Sequence, residues 1–340
     1  MKLVFCTPPP EQRTGGLDAA IDGLRSALSR RGIAVHDESA ALEAGALVHF
    51  HGLWQPAHAP LARECAARGI PYLVSPHGML EAWAWRHKWW KKWPYFHLVE
   101  KGHLARAQAL LATAPAEARR LQKIFPRNRV EILPLGLTGG ARPNYEDARR
   151  QLGWTPTDRV LLFLSRIHVK KGLDLLLRAL ASDPVPPDLR LIVVGDGAPA
   201  YTRTLQNFAE EHSAALPPIE WKGAVWGEQR WPYFQGADLF CLPTHSENFG
   251  LAILEACQVG TPVLTTVETP WAENLAHGRG FIGQPTVASV RQMLAEFFAR
   301  PAWKPEQRRD LSEWAWAEYH WEVLAGKYAA LYASLASSAP

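Results

Sequence analysis

Short apolar runs alternate with helical patterns along the whole chain. Ten such runs predict buried strands, at 2–6, 45–50, 71–75, 109–112, 130–134, 160–165, 190–195, 219–222, 238–242 and 262–266. Strands that alternate with helices predict parallel sheets covered on both faces, which is an α/β fold. A Gly/Pro-rich stretch at 134–144 interrupts the pattern, which then starts afresh. We therefore predict two doubly wound, Rossmann-like domains that face a central cleft.

The segment 243–262 places two carboxylates around a glycine hinge. Glu247 and Glu255 lie between a predicted strand and the body of a predicted helix. The hinge between them consists of Phe249, Gly250 and Leu251. A strand, a loop and a helix N-terminus are the parts from which open α/β sheets build ligand sites. The spacing suggests an acid/base pair, as in glycoside hydrolysis, with recognition of a ligand by both acids as the alternative.

Two cations precede this segment at a second junction between a strand and a helix. Arg166 follows a strand, and Lys171 comes just before Gly172 and a helix. A forked guanidinium and an ammonium held in this way suit a diphosphate, and a surface ion pair is the alternative. Gly195 and Val225 follow two further strands, where a nucleotide base commonly rests against backbone amides.

The first half carries a weaker set of ligand signals. Gly15 and Gly16 precede a predicted helix at 17–30, so their backbone has the freedom to approach a phosphate. His51 and His77 each stand at or after the end of a predicted strand, where ligands bind in such sheets. We favour a functional role for His77, a strand-capping role for His49, and leave His51 between the two.

Residues 83–93 combine tryptophan and lysine at helical spacing. Trp85, Trp89 and Trp93 recur every four residues and form one stripe of the predicted helix. The opposite side carries Lys88, Lys91 and Lys92, and Pro94 is expected to end the helix. Indoles opposite lysines are typical of an interfacial helix on an anionic membrane, and ordinary core packing is the alternative.

Composition and charge narrow the classes of protein. The 340 residues are 47% hydrophobic, enough for two cores, and contain no apolar run that would predict a membrane span. The four cysteines have no C-x-x-C spacing, which favours a reduced cytoplasm and argues against a zinc site. Residues 1–135 carry net charge +7 and the remainder −3, so we expect the first half to meet an anionic partner. No D-x-D, H-E-x-x-H, P-loop or G-x-S-x-G motif occurs.

These motifs, in their order along nearly the whole chain, resemble retaining glycosyltransferases of family 4, which have the GT-B fold. The resemblance rests on the Gly15–Gly16 loop, SPHGML, SRIHVKKG, VVGDG, SENFGLAILEACQVGTPV and ETPW. One departure is Asn248, which stands where many members have glycine and leaves the donor sugar open. The resemblance implies an N-terminal acceptor domain at 1–138, a nucleotide-sugar domain at 139–312, and helices at 313–340 that return to the first domain.

Roles for single residues follow from the resemblance. It implies that Arg166 and Lys171 hold the donor diphosphate, and that Glu247 and Glu255 bind the donor sugar and the ribose. It places His77 near the reaction centre. Backbone groups are expected to complete the donor site, from Gly15, Gly16, Phe249, Gly250, Leu251, Gly195 and Val225. No metal and no other cofactor is implied, since the two cations stabilise the leaving group.

A narrower resemblance joins HGLW, SPHGML and PTHSENFG to bacterial enzymes that build lipopolysaccharide core or exopolysaccharide. We therefore expect a cytoplasmic transferase, peripheral to the inner membrane, that moves a sugar from a nucleotide diphosphate sugar to a lipid-linked or lipopolysaccharide acceptor. Nucleic acid is not an expected partner. The alternatives are a GT-B nucleotide-sugar hydrolase or 2-epimerase, and a non-catalytic protein that binds membrane surfaces.

Overall fold

The computed structural model describes residues 2–8, 15–81, 83, 85, 89–137, 139–276 and 278–337. The chain divides into two compact units, Met1–Thr138 with Glu318–Pro340, and Gly139–Ala317. Each unit is built on its own six-stranded sheet, and the paired strands are parallel. Within the described residues, no helix combines the length and the apolar character that a membrane span requires.

The first unit contains six strands and six α-helices among its described residues. The strands are β1 (Lys2–Cys6), β2 (Val35–His36), β3 (Ala46–His51), β4 (Tyr72–Ser75), β5 (Ala109–Ala112) and β6 (Arg129–Ile132). The helices are α1 (Gly15–Arg30), α2 (His58–Ala67), α3 (Trp89–Tyr95), α4 (Lys101–Arg106), α5 (Pro115–Ile124) and, from the end of the chain, α14 (Trp321–Ser337). The sheet order β2-β1-β3-β4-β5-β6 reverses direction at β1, so its switch point lies between β1 and β3.

The second unit repeats this architecture. Its strands are β7 (Arg159–Leu164), β8 (Leu189–Val194), β9 (Ile219–Trp221), β10 (Leu239–Leu242), β11 (Val263–Thr266) and β12 (Gly280–Gly283). Its helices are α6 (Tyr145–Leu152), α7 (Leu173–Leu180), α8 (Pro199–Glu211), α9 (Trp231–Gly236), α10 (Leu251–Gln258), α11 (Ala272–Leu275), α12 (Val287–Ala299) and α13 (Pro305–Tyr319). The order β12-β11-β10-β7-β8-β9 places the switch point between β7 and β10.

The α/β prediction is confirmed, and all ten predicted strands form within two residues of the predicted bounds. The apolar runs identified them because strands buried on both faces read as continuous hydrophobic segments. Two edge strands escaped prediction. β2 has only two residues, and β12 begins and ends with glycine, so neither has an apolar run to detect. The four cysteines are free and buried, as predicted.

Pro94 does not end its helix, contrary to the sequence prediction. It lies inside α3, and the chain continues through a π-helical turn at Phe96–Glu100 into α4. A proline removes one backbone N–H and crowds the preceding turn. A wider turn next to a proline is a common way to continue a helix past such a break.

Helix α14 packs within the first unit through aromatic side chains. Tyr328 donates from its hydroxyl to the carbonyl of Leu133 at 3.3 Å. The Trp321 indole fills the space over Gly23 and Gly136, where a Cβ would lie 2.2 and 2.5 Å from its ring atoms. Two glycines are therefore needed for this helix to come so close.

Candidate functional site

The segment singled out by its two acids lies at the switch point of the second sheet. Strand β10 ends at Leu242, and α10 begins at Leu251 after Gly250, whose φ is +82°. A Cβ on Gly250 would lie 3.0 Å from Cγ of Glu247 and 3.3 Å from Nε1 of Trp271. Both the left-handed backbone and this crowding require glycine, so Gly250 sets how closely the acid approaches the helix start.

Glu247 forms a salt bridge with Lys171, which ends the 3₁₀ turn after β7. The two side chains are only 11% and 15% exposed. Burial alone would raise the pKa of the Glu247 carboxyl, but Lys171, Lys170 and hydrogen bonds outweigh it, so the pKa lies below its usual value. Glu247 is therefore an ionised carboxylate held in a low-dielectric site.

Gly172 explains how Lys171 reaches this position. Its φ is +72°, and a Cβ there would lie 2.0 Å from the Pro243 carbonyl oxygen. The loop after β7 therefore packs directly on the loop after β10. His245 and Thr244 reinforce the contact, since the His245 amide and the Thr244 hydroxyl donate to the Lys170 carbonyl at 2.8 and 2.7 Å.

Arg166 is the second cation of this sheet edge. It lies two residues beyond β7, is exposed, and has no ion-pair partner among the residues that the structure describes. The Lys171 ammonium is paired with the Glu247 carboxylate, whereas Arg166 has no such partner among the described residues. Of the surface ion pair considered from the sequence, Lys171 forms a pair that is largely buried, and Arg166 forms none with the described residues.

Glu255 has a partner that the sequence reasoning missed. Arg230 donates to its Oε1 at 3.0 Å, and the side chains are 17% and 12% exposed. Arg230 also lies over the Trp231 ring, 4.4 Å from its centroid. It belongs to a short 3₁₀ turn, Gly227–Arg230, with no periodic signal that connects it to α10.

Trp271 is a second residue whose role escaped the sequence reasoning. It is 1% exposed, and its indole N–H donates to the Phe249 carbonyl. The Phe249 ring packs against it at 5.2 Å between centroids. The ETPW motif contained the signal, because a buried tryptophan needs an acceptor for its N–H. The hydrogen bond from Trp271 fixes the backbone of the segment Phe249, Gly250 and Leu251.

A cavity of about 360 Å³ opens at the end of β8. Gly195, Gly223, Ile167 and Trp221 are among its lining residues. Gly195 has φ +140°, and a Cβ there would lie 1.9 Å from the Ser165 carbonyl oxygen. Val225 is not among the lining residues, and the Trp226 side chain is 65% exposed. Of the two residues proposed to meet a base, Gly195 and Val225, the cavity thus includes only Gly195, and Trp221 adds an indole to its wall.

In the first unit the predicted histidines meet at the ends of β3 and β4. His51 Nδ1 lies 3.2 Å from His77 Nε2, and the two ring planes differ by 8°. Burial lowers the pKa of His77 to about 4, so its imidazole is neutral near pH 7. The loop is held from the other side by Glu117, which accepts from the Gly78 amide at 2.6 Å. Sequence reasoning missed Glu117, which lies among basic neighbours.

His49 was expected to cap its strand through the backbone, and that interpretation is wrong. Its Nδ1 lies 2.9 Å from the Tyr332 hydroxyl, and its Nε2 lies 2.8 Å from the Ser75 hydroxyl. Both bonds are between side chains. Tyr332 comes from α14, so nothing near His49 in the sequence announces the contact.

Gly15 and Gly16 are the first two residues of α1, which therefore starts two residues before the predicted Leu17. The proline-rich loop before them, residues 9–14, lies outside the described residues. The glycines still stand at the N-terminus of a 16-residue helix that follows β1. Free amides at such a position favour an anion.

The tryptophan stripe divides into two environments. Trp85 packs against the core of the first unit and meets the Phe96 ring edge-on at 5.2 Å. Trp89 and Trp93 are 57% and 53% exposed, so the three do not share one environment, and neither the interfacial interpretation nor core packing holds for all of them. Lys91 is exposed, and the Lys92 ammonium lies 5.7 Å from the Trp54 ring centroid. Lys88 falls outside the described residues.

Over the part of the chain that the structure describes, no three His, Cys, Asp or Glu side chains are grouped so as to hold a metal ion. The charged and polar groups that the described residues bring to the candidate sites are three cations, two carboxylates and neutral imidazoles.

Several known proteins are similar to this chain. A D-inositol 3-phosphate glycosyltransferase from Segniliparus rotundus is 34% identical over 179 residues, which is 50% of this chain and 40% of that protein. A glycogen synthase from Desulfitobacterium hafniense is 29% identical over 209 residues, 57% of this chain and 43% of that protein. The chain thus spans less than half the length of these curated relatives.

Solved structures share the fold. Sucrose-phosphate synthase from Thermosynechococcus elongatus superposes with a TM-score of 0.81 at 17% identity, covering 99% of this chain and 100% of that chain. Anabaena HepE in complex with UDP and glucose gives 0.75 at 18% identity, with 98% and 100% coverage. WaaG, a glycosyltransferase involved in lipopolysaccharide biosynthesis, gives 0.63 at 20% identity, with 97% and 99% coverage.

Two family descriptions match the chain directly. Residues 4–136 match a glycosyl transferase 4-like domain. Residues 144–315, half of the chain, match the family described as glycosyl transferases group 1. With the fold of the solved relatives and the paired acids and cations of the second sheet, these matches establish that the chain belongs to the glycosyl transferases group 1 family.

Proposed function

We propose that this protein is a retaining glycosyltransferase that moves a sugar from a nucleotide diphosphate sugar to a lipid-linked, lipopolysaccharide-core or polysaccharide acceptor. One observation carries the proposal: exposed Arg166 and the buried Lys171–Glu247 pair share the switch point of the second sheet. A guanidinium that has no ion-pair partner among the described residues suits a diphosphate, and an ionised carboxylate on the same sheet edge suits sugar hydroxyls. We call Arg166, Lys171, Glu247, Glu255 and Arg230 the charged edge.

In this mechanism two cations of the charged edge stabilise the leaving group. The bond between the sugar C1 and the diphosphate oxygen breaks while Arg166 and Lys171 face the negative charge that develops. The acceptor hydroxyl attacks C1 from the same face, and its proton passes to the departing phosphate oxygen. Glu247, ionised and bonded to Lys171, orients the sugar and forms no bond to C1. A glycosyl adduct on Glu247, trapped in a mass spectrum, would contradict this step.

The rest of the donor has candidate partners in both units. Glu255, held by Arg230, is proposed to bind the ribose hydroxyls. The cavity beside Gly195 is proposed to receive the base, with Trp221 in its wall and Val225 outside it. Backbone groups of Phe249, Gly250 and Leu251 complete this part. Gly15, Gly16 and His77 are proposed to reach the phosphates and the sugar from the first unit.

The similar proteins support a nucleotide sugar as donor and suggest where to begin. HepE was crystallised with UDP-glucose, and WaaG acts in lipopolysaccharide biosynthesis. Neither property transfers to this chain by similarity alone. UDP sugars are the first donors to test, followed by GDP and ADP sugars, with lipid-linked and core-oligosaccharide acceptors.

The direct test is product analysis with purified protein. We expect nucleoside diphosphate release to require an acceptor, and NMR of the product to show the same anomeric configuration as the donor. Release without an acceptor would favour a nucleotide-sugar hydrolase or 2-epimerase instead. Binding of nucleotide sugars without turnover under any acceptor would favour a non-catalytic binding protein.

We also propose peripheral contact with anionic membrane at the cytoplasmic face. Trp89, Trp90 and Trp93 expose more than half of their surface beside the exposed Lys91, and such rings settle at the headgroup level. Replacing Lys91 and Lys92 with Glu is expected to weaken binding to vesicles that contain anionic lipid. The matched control replaces exposed Lys123 and Arg127 with Glu, which changes net charge equally. Equal loss in both variants would contradict a local contact.

A further inference from the structure

Three imidazoles form a continuous row at the carboxyl ends of β3 and β4. We call His49, His51 and His77 the histidine row. The ring centroids of His49 and His51 are 3.8 Å apart, and those of His51 and His77 are 5.5 Å apart. The last two rings are nearly parallel and meet at 3.2 Å between nitrogens. A centroid distance of 5.5 Å with a nitrogen–nitrogen distance of 3.2 Å means that the two rings meet edge to edge, through a hydrogen bond, and are not stacked face to face.

The hydrogen bonds of the histidine row are complete at His49 and incomplete at His51 and His77. His49 uses both ring nitrogens, toward Tyr332 and Ser75. Among buried side-chain atoms of the described residues, His77 Nδ1 and His51 Nε2 have no hydrogen-bond partner. A buried polar atom without a partner is costly, and in native proteins it usually has a functional reason. One of the two orphan nitrogens must carry a proton.

The backbone shows that His77 is held in place at a cost. Its φ is +51°, and among described non-glycine residues only Trp54 shares a positive φ. The left-handed region is unfavourable for a residue with a Cβ and persists where the surroundings impose it. His51 on one side and the Gly78–Glu117 bond on the other supply that constraint. The row therefore orients His77 rather than merely surrounding it.

Proton counting reduces the row to two arrangements. Burial, reinforced by neighbouring histidines, lowers the pKa of His49 and His51 well below the usual value, and burial alone lowers that of His77. Two neutral rings that meet nitrogen to nitrogen share one proton. If His77 Nε2 carries it, the orphan N–H lies on His51, which is 2% exposed. If His51 Nδ1 carries it, the orphan N–H lies on His77 Nδ1, an atom that is also buried but belongs to the less buried of the two residues.

We infer that His51 is a positioning residue that donates its Nδ1–H to His77 Nε2 and so fixes His77 as the Nδ1–H tautomer. His77 then presents a neutral donor to a sugar hydroxyl or phosphate oxygen of the substrate. The second arrangement is favoured because His77 keeps part of its surface exposed and His51 does not, so a small movement at His77 would let a ligand oxygen accept from the orphan N–H. This inference rests on the proposed function, which places His77 at the nucleotide sugar.

The test reads the tautomer directly. In protein labelled with ¹⁵N-histidine, the His77 signals, assigned by loss in a His77→Gln variant, are expected to report a protonated Nδ1 and a bare Nε2. His51→Phe keeps a ring but removes the donor, so His77 is expected to shift toward the Nε2–H form. His51→Asn returns an amide N–H near the Nδ1 position and is expected to restore the wild-type signals.

Kinetics supply the second readout. We expect His51→Phe to lower kcat/KM about 10- to 100-fold and His51→Asn to recover most of it. His58→Phe is the control, because His58 is a buried imidazole of the same unit outside the row. It is expected to leave the His77 tautomer and kcat/KM unchanged, which separates positioning from general loss of packing.

Two results would overturn the inference. One is a wild-type His77 whose proton sits on Nε2. The other is a His51→Phe variant, shown by circular dichroism to be folded, that keeps both the tautomer and kcat/KM. The spectra require no turnover, so a protein without transferase activity but with the expected tautomer would contradict the proposed function and leave the role of His51 standing.

Discussion

The two sheets of this protein end in chemically opposite ways. Both are parallel, six-stranded and reversed at a switch point. The second carries ionised side chains there, with Lys171 paired to Glu247 and Arg230 paired to Glu255. The first carries the histidine row, whose members are neutral because burial lowers their pKa values. The same architecture thus holds charge at one edge and excludes it at the other.

The difference teaches that pairing, not burial alone, decides whether a group stays ionised. Glu247 and His77 are both largely removed from water, and burial disfavours the charged form of each. Lys171 reverses this effect for Glu247, whereas His77 meets only another neutral ring. Cations suit a leaving diphosphate. Neutral donors suit sugar hydroxyls, because they do not compete with those cations for the diphosphate. Four changes test this contrast.

The largest effect is expected from Lys171→Met. It removes a cation that faces the leaving group and leaves Glu247 as an unpaired, 11% exposed carboxylate. We expect kcat/KM to fall about 10²–10³-fold, as for loss of one preorganised donor, with a lower free energy of unfolding. Adding Glu247→Gln should recover stability but not activity. Lys171→Met with wild-type turnover would remove the charged edge from the mechanism.

Gly195→Ala is expected to have the next largest effect. A Cβ there would lie 1.9 Å from a backbone oxygen, at a φ of +140°. We expect the free energy of unfolding to fall by about 3 kcal/mol or more, from strain and overpacking. Gly223→Ala is the control, since its φ is also positive but no atom lies within 4 Å of the added carbon. Denaturant unfolding should separate the two variants, and equal losses would show that the close approach is dispensable.

The pH dependence of stability probes the neutral edge. The pKa of His77 and of His58 falls from 6.5 in the unfolded chain to about 4 in the folded protein. Above about pH 6.5 these rings are neutral in both states and do not lower the free energy of unfolding. As pH falls toward 4, the unfolded chain takes up the protons first, and the free energy of unfolding drops by up to about 3 kcal/mol for each ring. We expect His77→Phe to flatten this slope in urea titrations. Glu247, whose pKa is lowered, keeps its stabilising contribution down to its usual pKa and loses it only at more acidic pH. An unchanged slope would mean that His77 is not buried as a neutral ring.

The smallest effect is expected from Glu255→Gln. The change removes one charge from the pair with Arg230 and weakens a proposed contact to the ribose. We expect KM for the nucleotide sugar to rise about tenfold with kcat nearly unchanged, because such a contact is equal in the ground and transition states. A fall in kcat at constant KM would instead assign Glu255 to the chemical step.

Sequence reasoning reached the fold because it leaves local signals, and the candidate site residues belong to motifs that are also local. Apolar runs identified ten strands, and the acid and cation motifs lie next to predicted strand ends. Arg230, Trp271, Glu117 and Tyr332 were missed because each acts on a residue from a distant element. The helix past Pro94 was mispredicted because a π-helical turn continues the chain beyond the proline, and the two environments of the tryptophan stripe depend on distant packing that its spacing does not reveal.

The most direct test of the account is the affinity of UDP, or of the best nucleoside diphosphate found in a thermal-shift panel, for wild-type protein and Arg166→Ala. Arg166 is exposed and makes no ion pair with described residues, so its removal should leave the fold intact. Calorimetric titration is expected to show at least tenfold weaker diphosphate binding in the variant, with nucleoside affinity unchanged. Equal diphosphate affinity in both proteins would contradict the assignment of the charged edge to the donor diphosphate.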